Sequence, residues 1–420
     1  MTRDSRPWLK VPRRRAGLLV ALAALVLTAG PAAAVELEVA TWHWTEPARG
    51  AVLRKMVEQF TREHPTITIK EVSVPFPRYV EQMLLRLAGG APPDVLVATD
   101  AMLFTFLDRG HLAPFGSFPA LARMLERDRQ DFVDGQAVAS IGGQTYGVVS
   151  HYSTYGLLYN EKLLSEAGIA KPPATPQEFL AAATKLTKAP EQFGYGTRHS
   201  MNEEGGWWYE VAYWVHGFGG RWATGGKPSV STPPVINAVR FFKQLYDAGV
   251  FPKGVDAATY RRMFWQEKIA MLTDNNAVYF IAKSQNPNLA LRAAPNPFSP
   301  PVTVGEISFY TIPKGAKHAP EAATFIDWYR QHLRELGMNL QNLVGSKSAN
   351  TEILSAFPHL TTFVNAPLAE NGGALPKGYE GRMPEFRHIV LQHVTQVLVN
   401  NADPATEMQA AQAELENMRR

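Results

Sequence analysis

Cysteine is absent from the sequence, although the chain has 420 residues. Without cysteine there can be no disulfide, no thiolate zinc site, no iron–sulfur cluster and no cysteine nucleophile. Lipid anchoring of a bacterial lipoprotein also requires a cysteine, so that route to a membrane is excluded. At this length a single core is a poor expectation, and we predict two domains or one large two-lobed fold.

Motifs of catalysis and cofactor binding are missing as well. The eleven histidines form no H-E-x-x-H motif and no obvious i, i+4 pair of metal ligands. No G-x-S-x-G elbow, no Walker loop and no G-x-G-x-x-G after a strand occurs. Acidic residues are numerous, but their spacing singles out no pair for glycoside hydrolysis. The sequence therefore predicts no catalytic residue, no metal ligand and no cofactor.

The first 34 residues have the layout of a secretory signal. Basic residues lead up to Arg13–Arg15, an Ala/Leu/Val run covers Leu18–Leu27, and Ala32–Ala34 forms an A-x-A cleavage site. The apolar run is too short to span a bilayer, so we expect cleavage after Ala34 rather than an uncleaved anchor. Twin-arginine export is an alternative, but Ala16-Gly17 matches it poorly and general secretion is favoured. The expected location is the periplasm of a two-membrane bacterium.

The formal net charge of +4 belongs to this signal segment. The segment holds six of the 42 basic residues and one of the 38 acidic residues, so residues 35–420 carry a net charge of about −1. A nucleic-acid partner, which a basic chain would suggest, is therefore not expected. No second apolar stretch approaches membrane-spanning length. We expect a soluble exported protein that acts as a monomer.

Strands and helices alternate along the first part of the exported chain. Val35–Thr41 alternates in hydrophobicity and predicts a strand, a helix is expected to begin at Pro47, and residues 94–98 predict a buried strand. This alternation is typical of an α/β fold with a largely parallel sheet flanked by helices.

Further elements are predicted in the second half of the chain. Leu157–Asn160 predicts a strand, and Thr175 is expected to cap a helix that begins at Pro176. Residues 285–303 hold five prolines and predict a loop that crosses between two lobes.

Side chains that follow strands are candidates for ligand binding, because ligands of open α/β sheets lie beyond the carboxyl ends of the strands. Trp42 and Trp44 follow the first strand, and Asp100, Asn275 and Asn276 follow later strands. An indole stacks on the apolar C–H face of a sugar ring, while carboxylates and amides bind its hydroxyl groups. Each tryptophan alone is equally compatible with a place in the core.

Trp207 and Trp208 lie in a segment rich in glycine and aromatic residues, which we interpret as a loop. Two neighbouring residues cannot both point inward on a regular element. At least one of the two indoles is therefore expected to face solvent or ligand.

Several sequence segments carry a recognisable signature when they are taken in order. They are VATWHWTEP, LAGGAPPDVLVATD, Gly143–Val148, Leu158–Gly168 with Pro172–Thr175, Phe264–Leu272 and Gly315–Tyr329. Together they resemble the extracytoplasmic solute-binding proteins of ABC importers, in the sugar-binding branch that includes maltose- and glycerol-phosphate-binding proteins. Pro176 stands where this family usually has tryptophan, and such departures concern local loops rather than the fold.

The resemblance implies the two-lobed periplasmic binding protein fold, in which each lobe is a mostly parallel sheet flanked by helices. A ligand is held in the cleft between the lobes, which close on it by a hinge motion. The three hinge crossovers are expected near residues 147–151, 302–307 and 344–350, the first lobe at 35–148 plus 305–346, and the second lobe at 149–304 plus 347–420.

The resemblance also implies ligand contacts at named positions. They are Trp42, Trp44, Asp100, Ser153, Trp207, Trp208, Asn275, Asn276, Glu306, Tyr379 and Arg382. The implied function is capture of a mono- or oligosaccharide and its delivery to the transmembrane permease subunits of an ABC importer.

Two alternative functions stay open at this point. The first is binding of a polyol or a glycerol-phosphate-type ligand on the same fold. The glycerol-phosphate branch has an arginine about where Tyr379 stands, and Arg382 lies close to that position. The second is a secreted glycan-active enzyme.

Overall fold

The structure, a computed structural model, describes residues 1–2, 34–364 and 373–418. The predicted signal segment lies outside these ranges, apart from its first two residues and Ala34. Within the ranges no helix has both the length and the apolar character needed to cross a membrane.

Strands and helices alternate, as the sequence predicts. The strands of the described chain are β1 Val35–Thr41, β2 Ile67–Ser73, β3 Val95–Thr99, β4 Ser140–Ile141, β5 Gln144–Thr145, β6 Val148–Asn160, β7 Phe193–Gly196, β8 Ala223–Thr224, β9 Lys227–Pro228, β10 Ile269–Asn275, β11 Leu291–Ala294 and β12 Gly305–Thr311. The predicted α/β class is confirmed, and so are the first strand and the helix that begins at Pro47.

Helices cover the sheet. They are α1 Pro47–Glu63, α2 Phe76–Ala88, α3 Asp100–Asp108, α4 Pro119–Arg127, α5 Glu161–Glu166, α6 Pro176–Leu186, α7 Glu204–Gly217, α8 Pro233–Asp247, α9 Ala257–Trp265, α10 Ala277–Gln285, α11 Ala319–Gln331, α12 Leu333–Leu340, α13 Lys347–Ala356, α14 Thr361–Val364, α15 Met383–Val399 and α16 Pro404–Asn417. Short 3₁₀ turns occupy Trp42–Thr45, Phe115–Ser117, Asp134–Ala139, Met201–Glu203, Pro358–Leu360 and Glu380–Arg382.

The helices pack through one apolar face. In α1, Leu53, Met56 and Phe60 recur at helical spacing and are buried against the sheet. Burial of a side chain of this size contributes roughly 1.5–3 kcal/mol to the free energy of unfolding. The strand that precedes α1 and the helix itself are therefore fixed together, which positions the turn Trp42–Thr45 between them.

The main strands form one sheet in the order β2-β1-β3-β12-β6-β10-β7, with β11 paired to β6. β1 is parallel to β2 and β3, and β10 is parallel to β7. β6 and β12 run antiparallel to their partners. Parallel strands thus occupy both ends of the sheet, and the two antiparallel strands lie between them.

The strand β6 joins two groups of strands. Its residues 148–154 pair with β12, whereas residues 155–160 pair with β10 and β11. The sequence predicted a strand only from Leu157. It also predicted a loop over 285–303, and that was wrong for Leu291–Ala294, because these residues pair with the edge of β6.

Buried side chains form hydrogen bonds between β6 and the segments that pack beside it. The Oδ1 of Asn276 accepts a hydrogen bond from the amide of Thr154 at 2.9 Å, and its Nδ2 donates to Asn342. The hydroxyl of Thr303 donates to the carbonyl of Tyr155 at 2.5 Å. Loss of one partner would leave a buried polar group unsatisfied, at a cost of about 1–3 kcal/mol.

Candidate functional site

A cavity of about 330 Å³ opens where the end of β3 faces the start of α7. Phe76, Thr99 and Ala101 form part of one wall, and Arg198, Glu204 and Tyr209 form part of the other. The sequence-predicted site residues, all of which are described, do not belong to this lining. Asp100 is flanked in sequence by Thr99 and Ala101, which both line the cavity.

Asp100 is the first residue of α3 and is fully buried. Its Oδ1 accepts hydrogen bonds from the amide of Ala101 at 2.9 Å and from the hydroxyl of Tyr209 at 3.2 Å. Its Oδ2 has no hydrogen-bond partner among the described residues. Burial raises the pKa of Asp100 to about 7, and the hydrogen bonds only partly oppose that rise.

Glu306 is the second carboxylate of this region. It lies on β12 directly opposite Ser153 on β6, so the two side chains emerge on the same face of the sheet. Burial and the negative charge of Asp100 together raise the pKa of Glu306 to about 8, and the positive charge of Arg49 opposes this rise. Asp100, Ser153 and Glu306, which the sequence predicted as ligand contacts, thus belong to one neighbourhood.

Arg198 supplies the positive charge of the opposite wall. Its Nη1 donates to the Oε1 of Glu210 at 2.5 Å, and Tyr260 donates to the same oxygen at 3.0 Å. Gly206 leaves the room for this guanidinium, since a Cβ there would lie 2.5 Å from the Nε of Arg198. The guanidinium is therefore fixed within the protein before any ligand arrives.

Trp42 and Trp44 are both buried in the turn after β1. The ring of Trp42 lies 5.2 Å from the ring of Phe76, a cavity residue, and 5.1 Å from that of Tyr79. Trp44 points elsewhere: its Nε1 donates to the carbonyl of Val39 at 3.0 Å, and its ring packs in the apolar core. Of the two, Trp42 is the one that borders the cavity wall.

Trp207 and Trp208 lie in α7, so the predicted loop at this position is wrong. Both indoles are fully buried, because α7 is enclosed on every side rather than on one face. Trp208 stacks on Trp222 with ring centroids 4.1 Å apart and donates from Nε1 to the carbonyl of Ala374 at 2.8 Å. The Nε1 of Trp207 has no partner within the described chain.

Asn275 and Asn276 use their side chains within the protein. Asn275 accepts from the amide of Ala277 at 3.1 Å and donates to Asp274 at 3.3 Å. Asn276 binds Thr154 and Asn342, as described above. Their expected ligand contacts stay predictions, and their observed contacts fix the end of β10.

Tyr379 and Arg382 lie just before α15. Tyr379 is buried, with its ring 5.5 Å from that of Phe386. Arg382 forms an ion pair with Glu385, in which Nε donates at 3.0 Å. Arg382, which the sequence suggested as a ligand for a phosphate, is thus paired with a carboxylate of the protein itself.

Sequence reasoning missed Tyr209 and Arg198, which are two of the polar residues that line the second wall. Tyr209 stands in the run Trp207–Glu210. Because its neighbours Trp207 and Trp208 are also aromatic, the sequence does not single it out as a site residue. Arg198 follows the short strand β7, and the rule that ligands lie beyond strand ends would have pointed to it.

Three comparisons place the chain among known proteins. The family model described as bacterial extracellular solute-binding protein matches residues 43–332. A Brucella abortus protein described as a binding protein is 25% identical over 326 residues, which cover 76% of this chain and 77% of that protein.

Solved structures with the same fold include the maltose-bound MalE3 of T. maritima and UgpB of Mycobacterium tuberculosis in complex with glycerophosphocholine. The first has a TM-score of 0.78 at 18% identity and covers 91% of this chain and 99% of its own. The second has a TM-score of 0.76 at 18% identity and covers 91% of this chain and 98% of its own. At these identities the likeness establishes the fold.

Proposed function

The chain belongs to the bacterial extracellular solute-binding proteins, and we propose that it captures a carbohydrate in the cavity between β3 and α7. As the binding component of an ABC importer it would then deliver this ligand to the transmembrane permease subunits. No chemical step is part of this function. The protein holds its ligand by non-covalent contacts alone.

One observation carries the proposal: a cavity of about 330 Å³ combines an apolar and aromatic wall with polar and charged side chains. Phe76 and Tyr209 offer aromatic surface, and Asn202, Glu203 and Arg198 offer hydrogen-bonding groups. A sugar needs both features, because its ring has apolar faces and a rim of hydroxyl donors.

The ligand contacts that we propose are Asp100, Ser153, Tyr209 and Glu306, with Arg198 on the facing wall. Asp100 and Tyr209 belong to the segments that form opposite walls and share a hydrogen bond. A ligand in the cavity beside this hydrogen bond would contact both walls. This arrangement supports closure around the ligand by a hinge motion.

The lobes proposed are 35–148 plus 305–346 and 149–304 plus 347–420. β6 and β12 lie where these lobes meet, which supports a hinge at this part of the sheet. The mature protein would be a monomer, free in the periplasm after cleavage behind Ala34.

Binding without turnover is the expected behaviour of the purified protein. A thermal-shift screen of the mature chain against neutral mono- and oligosaccharides, polyols and glycerol phosphates should give hits among the saccharides, since a ligand raises stability by RT ln(1 + [L]/Kd). Calorimetry of each hit should give one site per chain. Release of cleaved sugar from a hit would favour a glycan-active enzyme instead.

A phosphate ligand is the second candidate, and the structural match to a glycerophosphocholine-bound protein is the observation behind it. Arg382 is the residue on which it would depend. If glycerol phosphates are the hits and Arg382→Ala abolishes their binding, the carbohydrate proposal is wrong.

A further inference from the structure

The volume of the cavity limits the size of the ligand that it can enclose. The cavity measures about 330 Å³, which is near the lower end of the roughly 300–1,000 Å³ range of small-molecule sites. At close packing a non-hydrogen atom occupies on the order of 20 Å³, so one hexose needs roughly 240 Å³ and two linked hexoses need roughly 460 Å³. One hexose therefore fits, with space for roughly three waters, and a second ring does not.

Charged side chains of the lining are held in place by the protein itself. Arg387 on α15 donates from Nε to the Oε1 of Glu204, at the start of α7, at 2.7 Å. Arg198 forms an ion pair with Glu210 at 2.5 Å. These contacts would have to break before the side chains could swing aside, so they oppose a widening of the cavity for a longer ligand.

Gly205 lies where a side chain would reduce the free volume. A Cβ at this position would lie 3.8 Å from the Cε1 of Phe76 and 3.9 Å from the Nη1 of Arg387. All three residues line the cavity, Phe76 from α2, Gly205 from α7 and Arg387 from α15. The absence of a side chain at Gly205 thus leaves the space between Phe76 and Arg387 open.

We infer that the cavity is selective for a monosaccharide, which it encloses as a single ring, and that Gly205 is a specificity-determining residue for this size. The inference rests on the proposed function and narrows its ligand class. The second ring of a disaccharide stays outside the cavity, where it gains few contacts. Affinity should therefore not increase with the number of linked sugars.

Saccharides of increasing length test the size limit. Calorimetry of the mature chain uses the mono-, di- and trisaccharides of the glucose, galactose, mannose, xylose and fructose series. In each series that binds, we expect the Kd values of the di- and trisaccharide to be no more than about threefold below that of the monosaccharide. Any larger gain in affinity with length overturns the inference.

Two variants change the volume of the cavity in opposite directions. Gly205→Leu fills the space between Phe76 and Arg387 and should raise the Kd of the monosaccharide at least about tenfold. Phe76→Ala removes aromatic surface but enlarges the cavity, so it should raise the affinity for the disaccharide relative to the monosaccharide at least about threefold.

Gly116→Leu is the matched control for the added side chain. Gly116 is exposed, and no atom lies within 4 Å of a Cβ at this position. This variant should leave the Kd of every saccharide unchanged. Thermal unfolding without ligand establishes that each variant is folded, and either cavity variant alone suffices for the test.

The outcomes separate this inference from the proposed function. Tighter binding of longer saccharides, or an unchanged affinity ratio in Phe76→Ala, overturns the size limit and leaves the carbohydrate function intact. An unchanged monosaccharide Kd in Gly205→Leu overturns the role of Gly205. Failure of every sugar to bind counts against the proposed function itself.

Discussion

Tyr209, which lines the cavity, donates its hydroxyl to the carboxylate of Asp100 at 3.2 Å. The two residues are 109 positions apart in sequence and come from α7 and α3, on opposite walls. The contact therefore joins the walls without a ligand, and it positions the carboxylate that a ligand would meet.

Removal of this hydroxyl should weaken ligand binding. Tyr209→Phe removes the side-chain hydrogen bond that Asp100 accepts from Tyr209 and leaves it with donors of the backbone, such as the amide of Ala101. A hydrogen bond to a charged group is worth about 1.5–3 kcal/mol, so we expect at least about a tenfold rise in the Kd of a bound sugar by calorimetry. Tyr246→Phe, at a half-buried position of α8 against Lys253, is the matched control, and an equal effect of both variants would contradict the assignment.

Stability of the unliganded protein should fall as pH rises from about 5 to about 8. The folded-state pKa values of about 7 for Asp100 and about 8 for Glu306 exceed the model-peptide values, so the folded protein binds more protons than the unfolded chain in this window. Stability is then lost with rising pH, by up to about 1.4 kcal/mol per pH unit for each group.

Urea unfolding at pH 5, 6, 7 and 8 measures this slope. The groups that face the pair are Tyr209, Arg49, Glu46 and Arg198. The double variant Asp100→Asn, Glu306→Gln should unfold with a flatter pH dependence, because it keeps those neighbours and loses only the two carboxyl protons. Equal slopes for the wild type and the double variant would show that other groups cause the pH dependence of stability in this range.

Gly206→Ala should disturb the second wall. The new Cβ would lie 2.5 Å from the Nε of Arg198 and push the guanidinium away from Glu210. We expect a loss of about 1–3 kcal/mol in the free energy of unfolding, measured in urea. The adjacent Gly205→Ala meets its nearest atom at 3.8 Å and is the matched control. If both variants unfold alike, the close approach is not what requires glycine.

Trp44→Phe should affect stability more than binding. The indole Nε1 donates to the carbonyl of Val39 and the ring fills the core, so truncation removes a buried hydrogen bond and apolar contact. We expect a loss of about 2–4 kcal/mol in unfolding free energy and a Kd within about twofold of the wild type. Trp42→Phe, beside Phe76, should change the Kd more. The reverse order would assign sugar stacking to Trp44.

Sequence patterns predicted the strands and helices that have one apolar face, and the helix ends that are capped by a residue nearby in the sequence. β1 alternates, Pro47 begins α1, and Thr175 accepts a hydrogen bond from the amide of Glu178 as an N-cap should. Such signals depend on neighbours within a few residues, so a sequence displays them directly.

The wrong predictions from the sequence concern buried elements. α7 is enclosed on all sides, so its residues show no helical alternation, and the glycines at its start resemble a loop. Asp100 was predicted from its place after a strand, and Ser153 and Glu306 from the resemblance; as ligand contacts all three stay predictions. Their approach to Tyr209 and Arg198 could not be predicted, because it depends on contacts between residues far apart in the chain.

The continuous strand β6 has a thermodynamic consequence. Residues 148–154 and 155–160 are consecutive parts of one strand, each hydrogen-bonded to a different group of strands. Melting of either group removes ladder partners from the same strand and exposes its edge, so we expect the two groups to unfold together. Calorimetry should accordingly record one cooperative heat-absorption peak, with calorimetric and van't Hoff enthalpies equal, rather than one peak per lobe.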